Sequence, residues 1–579
     1  MPLQDLLGRV LAMDIRASQD VPGFTRSDRD GFAVQAADTF GCGEETPRVL
    51  TLNSQRLASG VEPEEVVESG TATSIATGGV LPRGADAVVM LEDTSFTSGG
   101  GEVEIRRPVA PCAHLTQAGA DIARGEMVLR RGTVLTSRET GVLAALGLDR
   151  VKVLRRPRVA ILSTGNELVL PGGALAPGQI HDANGTILAH AVEESGGLSD
   201  FLGIAPDDPD QVEAALSRGL ETADMVLLSG GTSKGAGDVN VAAVKRLGPP
   251  GVLVHGVALR PGKPVCLAVC NGKPVIVLPG FPTSALFTFH EFAAPVIRSL
   301  AGRRALKQGR SSARLPRRIN SVVGRTEYIL VGLVRGAEPE SVAADSTAAP
   351  DSAGGGLVAV PLGKGSGSVT SFGAADGFIS IDRDVEYLPA GANVEVTLLS
   401  RRLTPADLVL VGSHCLGLDI IIDALTEKGV RTRFFPTGSL PGLEALKDGH
   451  ADAAGLHLLD PGSHIYNRPF LAPGMTFLEG YRRMQGLVFR HGDERFSGKS
   501  LDAALAEALA AAGGAVFINR NRGSGTRVLI DEILADARPP GFMVEARSHH
   551  AVAAAVAQGR ADWGLAIENV ARLHDLGFI

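Results

Sequence analysis

Between residues 151 and 302 short apolar runs alternate with amphipathic stretches, and each run ends in small polar residues. "RVAILSTGNEL" (158–168) reads as a strand closed by a hydroxyl–glycine turn, and "ANGTILAHAVEESGG" (183–197) as a helix with a glycine stop. "DPDQVEAALSRGLETA" (208–223) is a capped amphipathic helix and "DMVLLSGG" (224–231) a strand. "KPVIVLPG" (273–280) is a further strand, and "FPTSALFTFHEFAAPVIRSLAG" (281–302) predicts one long helix. Strands alternating with helices predict a doubly wound sheet, which binds ligands at the carboxyl ends of its strands. Polar glycine turns stand at three such ends: Ser163-Thr164-Gly165, Ser229-Gly230-Gly231 and Pro279-Gly280.

The flanking regions read differently. Residues 1–150 are β-rich, with "DAVVML" (86–91) as a buried strand and a helix opened by Thr136 or Ser137 with Glu139 behind it. Residues 303–402 return to short strands and predict a small β-barrel-like domain, interrupted by low-complexity sequence at 336–356. Residues 405–579 form another α/β unit of two lobes. "LVLVGSH", "TGSLPGLEAL" and "AVFINRNRGSGTR" each lead from an apolar strand or turn through Ser or Thr into a helix. This unit is expected to fold alone.

Composition narrows the function classes. A chain of 579 residues with 44% hydrophobic and 21% charged residues is an ordinary multidomain globular protein. One Trp, four Tyr, a net charge of −8 and no long basic run argue against nucleic-acid binding. The five cysteines are scattered, and Cys266 and Cys270 read as core thiols on one strand face. There is neither a signal-peptide pattern nor an apolar run long enough to span a membrane, so a reducing cytoplasm is expected.

The densest chemistry lies in "SGGTSKGAGD" (229–238). Bare backbone lets a phosphate approach closely. Lys234 adds a cation, and Asp238 suits a divalent metal or a proton transfer, although a plain strand-to-helix turn has similar residues. Seven motifs stand in order around it: "DVPGFTRSDRDGFAV" (20–34), "ATGGVLPRGADAVVMLEDT" (76–94), "LSTGNEL" (162–168), "GQIHDANGTIL" (178–188), "SGGTSKGAGD", "LRPGKP" (259–264) and "LPGFPTSA" (278–285). Together they resemble the molybdopterin molybdenumtransferase family, of the MoeA and gephyrin E-domain type, over roughly residues 1–402.

The resemblance implies an enzyme that takes adenylylated molybdopterin and molybdate, releases AMP, and depends on Mg²⁺. It also implies a homodimer in which the N-terminal segment of one subunit completes the site of the other. Residues 1–150 would be the N-terminal linker and β-rich domains, 151–302 the molybdopterin-binding domain and 303–402 the small β domain. A pyrophosphate-bearing substrate suits the backbone and hydroxyls of Ser163, Thr164, Gly165, Ser229, Gly230, Gly231 and Ser233, beside Lys234. Molybdate suits Arg260, Lys263 and Lys234, and Mg²⁺ suits Asp238, Asp207 and, through the resemblance, Asp30. Asp30 reads equally as a turn residue, and Asp207, at the start of the helix "DPDQVEAAL", as a neighbour of its N-cap. Asp182 is a binding residue or an N-cap; Glu167 contacts the pterin or stabilises a helix start. Pro279 and Pro282 shape a loop. One departure stands out: many members carry lysines where this chain has Gly256 and Arg260, and His255 or Lys263 is the available substitute for the first.

Residues 405–579 resemble the periplasmic-binding-protein-like domain fused to some of these enzymes, and more distantly LysR-type effector domains. Ser413, Ser439, Ser524 and Thr526 at three helix N-termini are the candidate ligands of a small oxyanion, molybdate or tungstate, with His457 beside the cleft. Three capped helices with no ligand are the alternative. Without a signal peptide or a helix-turn-helix, a transport receptor and a DNA-binding regulator are disfavoured. A molybdate or tungstate store without transferase activity, and a scaffold, are the competing functions for the whole chain.

Overall fold

A computed structural model describes the chain except residues 98, 231–238, 304–308, 337–355, 363–368, 400–405, 461 and 511–513, and except the side chains of 369 and 371. It divides into two compact units. The first comprises Met1–Leu253, Leu267–Val277 and Thr288–Leu306; the second comprises Val254–Cys266, Leu278–Phe287 and Lys307–Ile579.

In the first unit, a six-stranded sheet runs in the order Ala87–Met90, Gly31–Val34, Thr71–Ile75, Arg48–Leu57, Glu102–Ile105, Thr94–Phe96. Phe32, Val34, Leu50, Ala72, Val89, Val103 and Ile105 fill its core. A separate cluster of Leu6, Leu11, Ile15, Leu135, Leu143 and Leu146 ties the chain start to helix Ser137–Ala145. Thr136 caps that helix in a capping box: Arg138 N–H donates to its hydroxyl at 3.3 Å, and Glu139 accepts from Thr136 N–H at 2.8 Å.

The α/β sheet of the first unit has the order Leu198–Ala205, Arg158–Thr164, Met225–Ser229, Lys273–Leu278, Cys266–Cys270, Pro250–His255. Arg158–Thr164 runs parallel to both Leu198–Ala205 and Met225–Ser229, in a register that sets Ser163 opposite Ser229. Every residue of Met225–Ser229 is buried, as a strand covered on both faces requires. Helix Pro209–Thr222 covers the sheet with Val212, Ala215, Leu216, Gly219 and Leu220, one stripe at helical spacing. Its N-cap is Asp208, which accepts from Asp210 and Gln211 N–H groups at 3.0 and 2.9 Å, with Pro209 at the first helical position. The long helix predicted over 281–302 is interrupted. Pro282–Thr288 and Ala294–Leu300 are α-helical, but Phe289–Ala293 is a π-turn closed by Ala294 N–H on the Phe289 carbonyl. Pro295 has no N–H to continue the α ladder, so the chain widens just before it.

In the second unit Thr326–Arg335, Leu357–Pro361, Arg310–Arg314, Asn393–Leu398 and Gly377–Ile381 pair in turn, and the last pairs back onto the first. This closes a small barrel around Ala313, Leu315, Ile329, Val331, Leu333, Ala359, Ile379 and Val396. Two lobes follow. The first is the sheet Thr432–Pro436, Leu408–Gly412, Ala453–Gly455; the second is Glu545–Ala546, Phe517–Arg520, Trp563–Ile567, Gln485–Arg490, Leu576–Phe578. The single tryptophan, Trp563, is fully buried in the second lobe and donates from its indole to the Ala515 carbonyl at 3.1 Å. Val334 and Val358 of the barrel pack with Val409, Val411 and Phe435 of the first lobe, so a fragment beginning at 405 would leave that apolar cluster half built.

Candidate active site

Two strand ends of the first unit are pinned from beneath by asparagines. Asn184, in the first turn of helix Ala183–Glu194, donates to Ser229 Oγ at 2.8 Å. Asn240, in helix Val239–Arg246, donates to Thr164 Oγ1 and to the Gly230 carbonyl, each at 2.7 Å. Thr164 Oγ1 lies 3.4 Å from the Ser229 carbonyl. Gly230 has φ +116°, and a Cβ there would stand 2.3 Å from the Thr164 carbonyl oxygen, so only glycine allows the two turns to close together. Neither asparagine was selected from sequence. The available signal was an Asn inside the first turn of the helix after each polar strand end.

The surrounding candidates divide into engaged and open groups. Ser163 is fully buried and its Oγ has no partner among the described residues. Asp182 is the N-cap of helix Ala183–Glu194, accepting from Gly185 N–H at 3.0 Å, while its buried Oδ2 has no partner among the described residues. It is therefore a cap with one oxygen to spare. Gly165 follows with φ +152°, and Glu167 beyond it is exposed. No helix starts at Glu167: the next residues, Leu168–Val169, form a short strand parallel to Ile180–His181, which corrects the helix-start reading. Asp207 is exposed beside the cap residue Asp208, with its backbone N–H on Asn166 Oδ1 at 3.2 Å. Asp30 is exposed and accepts from Thr77 N–H at 2.7 Å, a bond that holds its carboxyl below the ordinary value. Gly231, Ser233, Lys234 and Asp238 lie outside the described residues.

In the second unit, strand Leu259–Arg260 lies parallel to Thr326–Arg335. Arg260 stands 3.6 Å from the buried carboxylate of Glu327, so part of its charge is already matched. Lys263 is exposed, and its carbonyl accepts from Val257 N–H at 2.9 Å. Gly256 has φ +88°, a conformation a lysine would adopt only under strain, so the backbone and the missing cation change together. Pro279 is buried after strand Lys273–Leu278, and Pro282 opens helix Pro282–Thr288.

Among the described residues no group of three or more His, Cys, Asp or Glu side chains is placed to hold a metal ion. Asp30 is bonded to Thr77 N–H, Asp207 stands beside a helix cap, and Asp238 lies outside the described residues. No helix among the described residues is long and apolar enough to cross a membrane.

The lobes of the C-terminal region meet at His457. Ser439 Oγ accepts from His457 N–H at 3.2 Å, which leaves its proton for the ring Nδ1 at 3.1 Å. Nε2 then faces Thr526 Oγ1 at 3.3 Å, and Thr526 donates to Gln485 Oε1 at 2.7 Å. Burial, with Arg483 and Arg520 adding, holds His457 well below the ordinary imidazole value, which suits this neutral relay. Ser524 caps helix Gly525–Leu534, accepting from Arg527 N–H at 3.2 Å. Ser413 follows strand Leu408–Gly412 and is buried, but the next helix, Leu416–Glu427, takes Cys415 as its N-cap. Three of the four hydroxyls chosen from sequence are thus committed within the protein.

This succession, a β-rich N-terminal part, an α/β domain with pinned strand ends, a small closed barrel and an appended two-lobed region, defines a multidomain enzyme of molybdopterin metabolism. Residues 1–147 match the MoeA N-terminal region (domain I and II), 160–299 a probable molybdopterin binding domain, 312–399 the MoeA C-terminal region (domain IV), and 422–579 a PBP superfamily domain. Molybdopterin molybdenumtransferase 2 of Mycobacterium tuberculosis (strain ATCC 25618 / H37Rv) is 36% identical over 57% of this chain and 81% of its own length. The Bacillus subtilis (strain 168) molybdopterin molybdenumtransferase is 34% identical over 51% of this chain and 69% of its own. The crystal structure of a molybdopterin biosynthesis MoeA protein from Pyrococcus horikosii superposes with a TM-score of 0.59 at 39% identity, covering 69% of this chain and 94% of that one. The chain belongs to the molybdopterin molybdenumtransferase family.

Proposed function

We propose that the chain inserts molybdate into adenylylated molybdopterin and releases AMP. The observation that carries this reading is the pair of strand ends held in register by Asn184 and Asn240, with Ser163 Oγ and Asp182 Oδ2 beside them buried and without partners among the described residues. Such orphan polar atoms are costly unless a ligand meets them. Two glycine-containing turns and the N-terminus of helix Ala183–Glu194 offer backbone donors of the kind a pyrophosphate takes. Lys234 and Asp238 extend the turn in sequence. Arg260 and Lys263 are the proposed molybdate contacts, and Asp30 the proposed contribution of a second subunit in a homodimer, as the family resemblance implies. Tungstate shares the charge and nearly the size of molybdate, so either is a substrate in this reading. The appended region is read as a module for a small oxyanion.

The test is AMP release by the purified chain from adenylylated molybdopterin, with and without molybdate or tungstate, beside light scattering at micromolar concentration. Oxyanion-dependent AMP release from a dimer is expected. A dimer that holds oxyanion but releases no AMP would instead support a store.

A further inference from the structure

We infer that the cleft between the two C-terminal lobes holds a tetrahedral oxyanion dianion through Arg483, Arg520 and His549, rather than through the hydroxyls at the helix starts. This rests on the oxyanion reading of the appended region and names what recognises the ion.

The argument begins with unmatched charge. Arg520 ends strand Phe517–Arg520 and is 4% exposed; Nη1 donates to the Ala546 carbonyl at 3.1 Å, and Nε has no partner among the described residues. Nη2 of Arg483, on the segment leading into strand Gln485–Arg490, is buried without a partner among the described residues. His549, at the start of helix His549–Ala557, is 4% exposed, and neither ring nitrogen has a hydrogen-bond partner among the described residues. The charged groups acting on Arg520, His457 and His549 are Arg483, Arg520 and histidines, while Arg483 hydrogen-bonds Cys415 and faces Tyr481 and Tyr466; no carboxylate is among these groups. Burial, with Arg483 adding, pushes Arg520 down to about 10. Arg527, one helical turn beyond Ser524, shows the contrast: it is just as buried but is matched by Asp531 at 2.9 Å and Glu545 at 2.8 Å. A buried guanidinium without a counter-charge is strongly unfavourable, so the pair points to a negative ligand.

The close contact of the lobes limits the ligand's size. A Cβ on Gly525 would stand 2.0 Å from the His457 carbonyl oxygen, and Leu440 N–H reaches the Gly523 carbonyl at 3.3 Å, so the lobes touch through bare backbone. The orphan nitrogens have almost no exposed surface. Polar atoms this closed to solvent suit a small inorganic ion rather than a pterin. Two guanidinium charges match two negative charges, and Arg520 Nε and Arg483 Nη2 are the nitrogens left to donate to the oxygens of a tetrahedron. A neutral His549 supplies one donor and one acceptor, so molybdate, tungstate, sulfate and hydrogen phosphate share the required chemistry.

Calorimetric titration of the full chain with each of these four salts tests the inference. Wild type is expected to show a binding event that Arg483→Gln and Arg520→Gln each weaken at least tenfold, about 1.4 kcal/mol. Preference for molybdate and tungstate would identify a metal oxyanion, and preference for sulfate or phosphate a common one. Fluorescence of the buried Trp563 reports whether the second lobe is folded; should Arg520→Gln fail that check, the half-buried Arg483→Gln decides. Unchanged binding in both arginine variants, with loss in Ser413→Ala plus Ser524→Ala, would overturn the arginine site and leave the oxyanion reading standing. Unchanged binding in all of them would overturn both.

Discussion

At the scale of single residues, the proposed site divides neighbours in the chain between holding the turn and acting on the substrate. Asn240 is fully buried and makes two bonds that join one strand end to the other. Asn240→Ala is expected to cost about 2–3 kcal/mol through the two lost bonds and the carbonyl and hydroxyl left behind, read as a lower melting temperature. Asp238 stands two positions earlier and is proposed, through the family resemblance, as a group at the reaction centre. Asp238→Asn is expected to keep the melting temperature and slow AMP release about 100-fold or more, the size of effect seen when one charged or hydrogen-bonding group is lost from a reaction centre. Equal turnover in Asp238→Asn, or an Asn240→Ala protein as stable as wild type, would reverse the division. Asp238 stood out in sequence as a carboxylate among glycines, and it lies outside the described residues. Asn240 was not, because an asparagine in a helix announces nothing until its partners 76 and 10 residues away are placed beside it.

At the scale of elements, the broken helix carries a pH signature. His290 lies in the π-turn, where burial, with Arg298 adding, pushes its imidazole down to about 4. In the unfolded chain it titrates near 6.5, so between these values the unfolded state binds more protons. The stability owed to a neutral His290 is full above about pH 6.5 and is lost as pH falls toward 4, amounting to about 2 kcal/mol between pH 7 and pH 5. Urea unfolding at those two pH values should show a smaller acid loss in His290→Gln than in wild type; equal losses would remove His290 from the account. The helix itself was visible in sequence through its apolar spacing. The π-turn was not, although Pro295 marked where the ladder had to change.

At the scale of the whole molecule, elements far apart in sequence share cores. Phe435 of the first lobe packs on Val334 and Val358 of the barrel, and a Cβ on Gly332 would stand 2.9 Å from its ring. Phe435→Ala is expected to cost about 3 kcal/mol or more. Amide exchange should rise together in Thr326–Arg335 and Leu408–Gly412, and a rise in the lobe strand alone would show that the two fold separately.

The sequence by itself determined the alternation of strands and helices, the capping box at Thr136, the polar strand ends and the family, because periodicity, caps and ordered motifs are local properties of a chain. Tertiary structure decided which of those polar groups remain open. The hydroxyls of Ser439, Thr526 and Ser524 read from sequence as anion donors, yet folding commits them to His457, Gln485 and Arg527. Arg483, Arg520 and His549 read as ordinary charged residues, yet folding collects them where no carboxylate follows. Charge balance depends on distance in space and on exclusion of water, and neither is written in the order of residues.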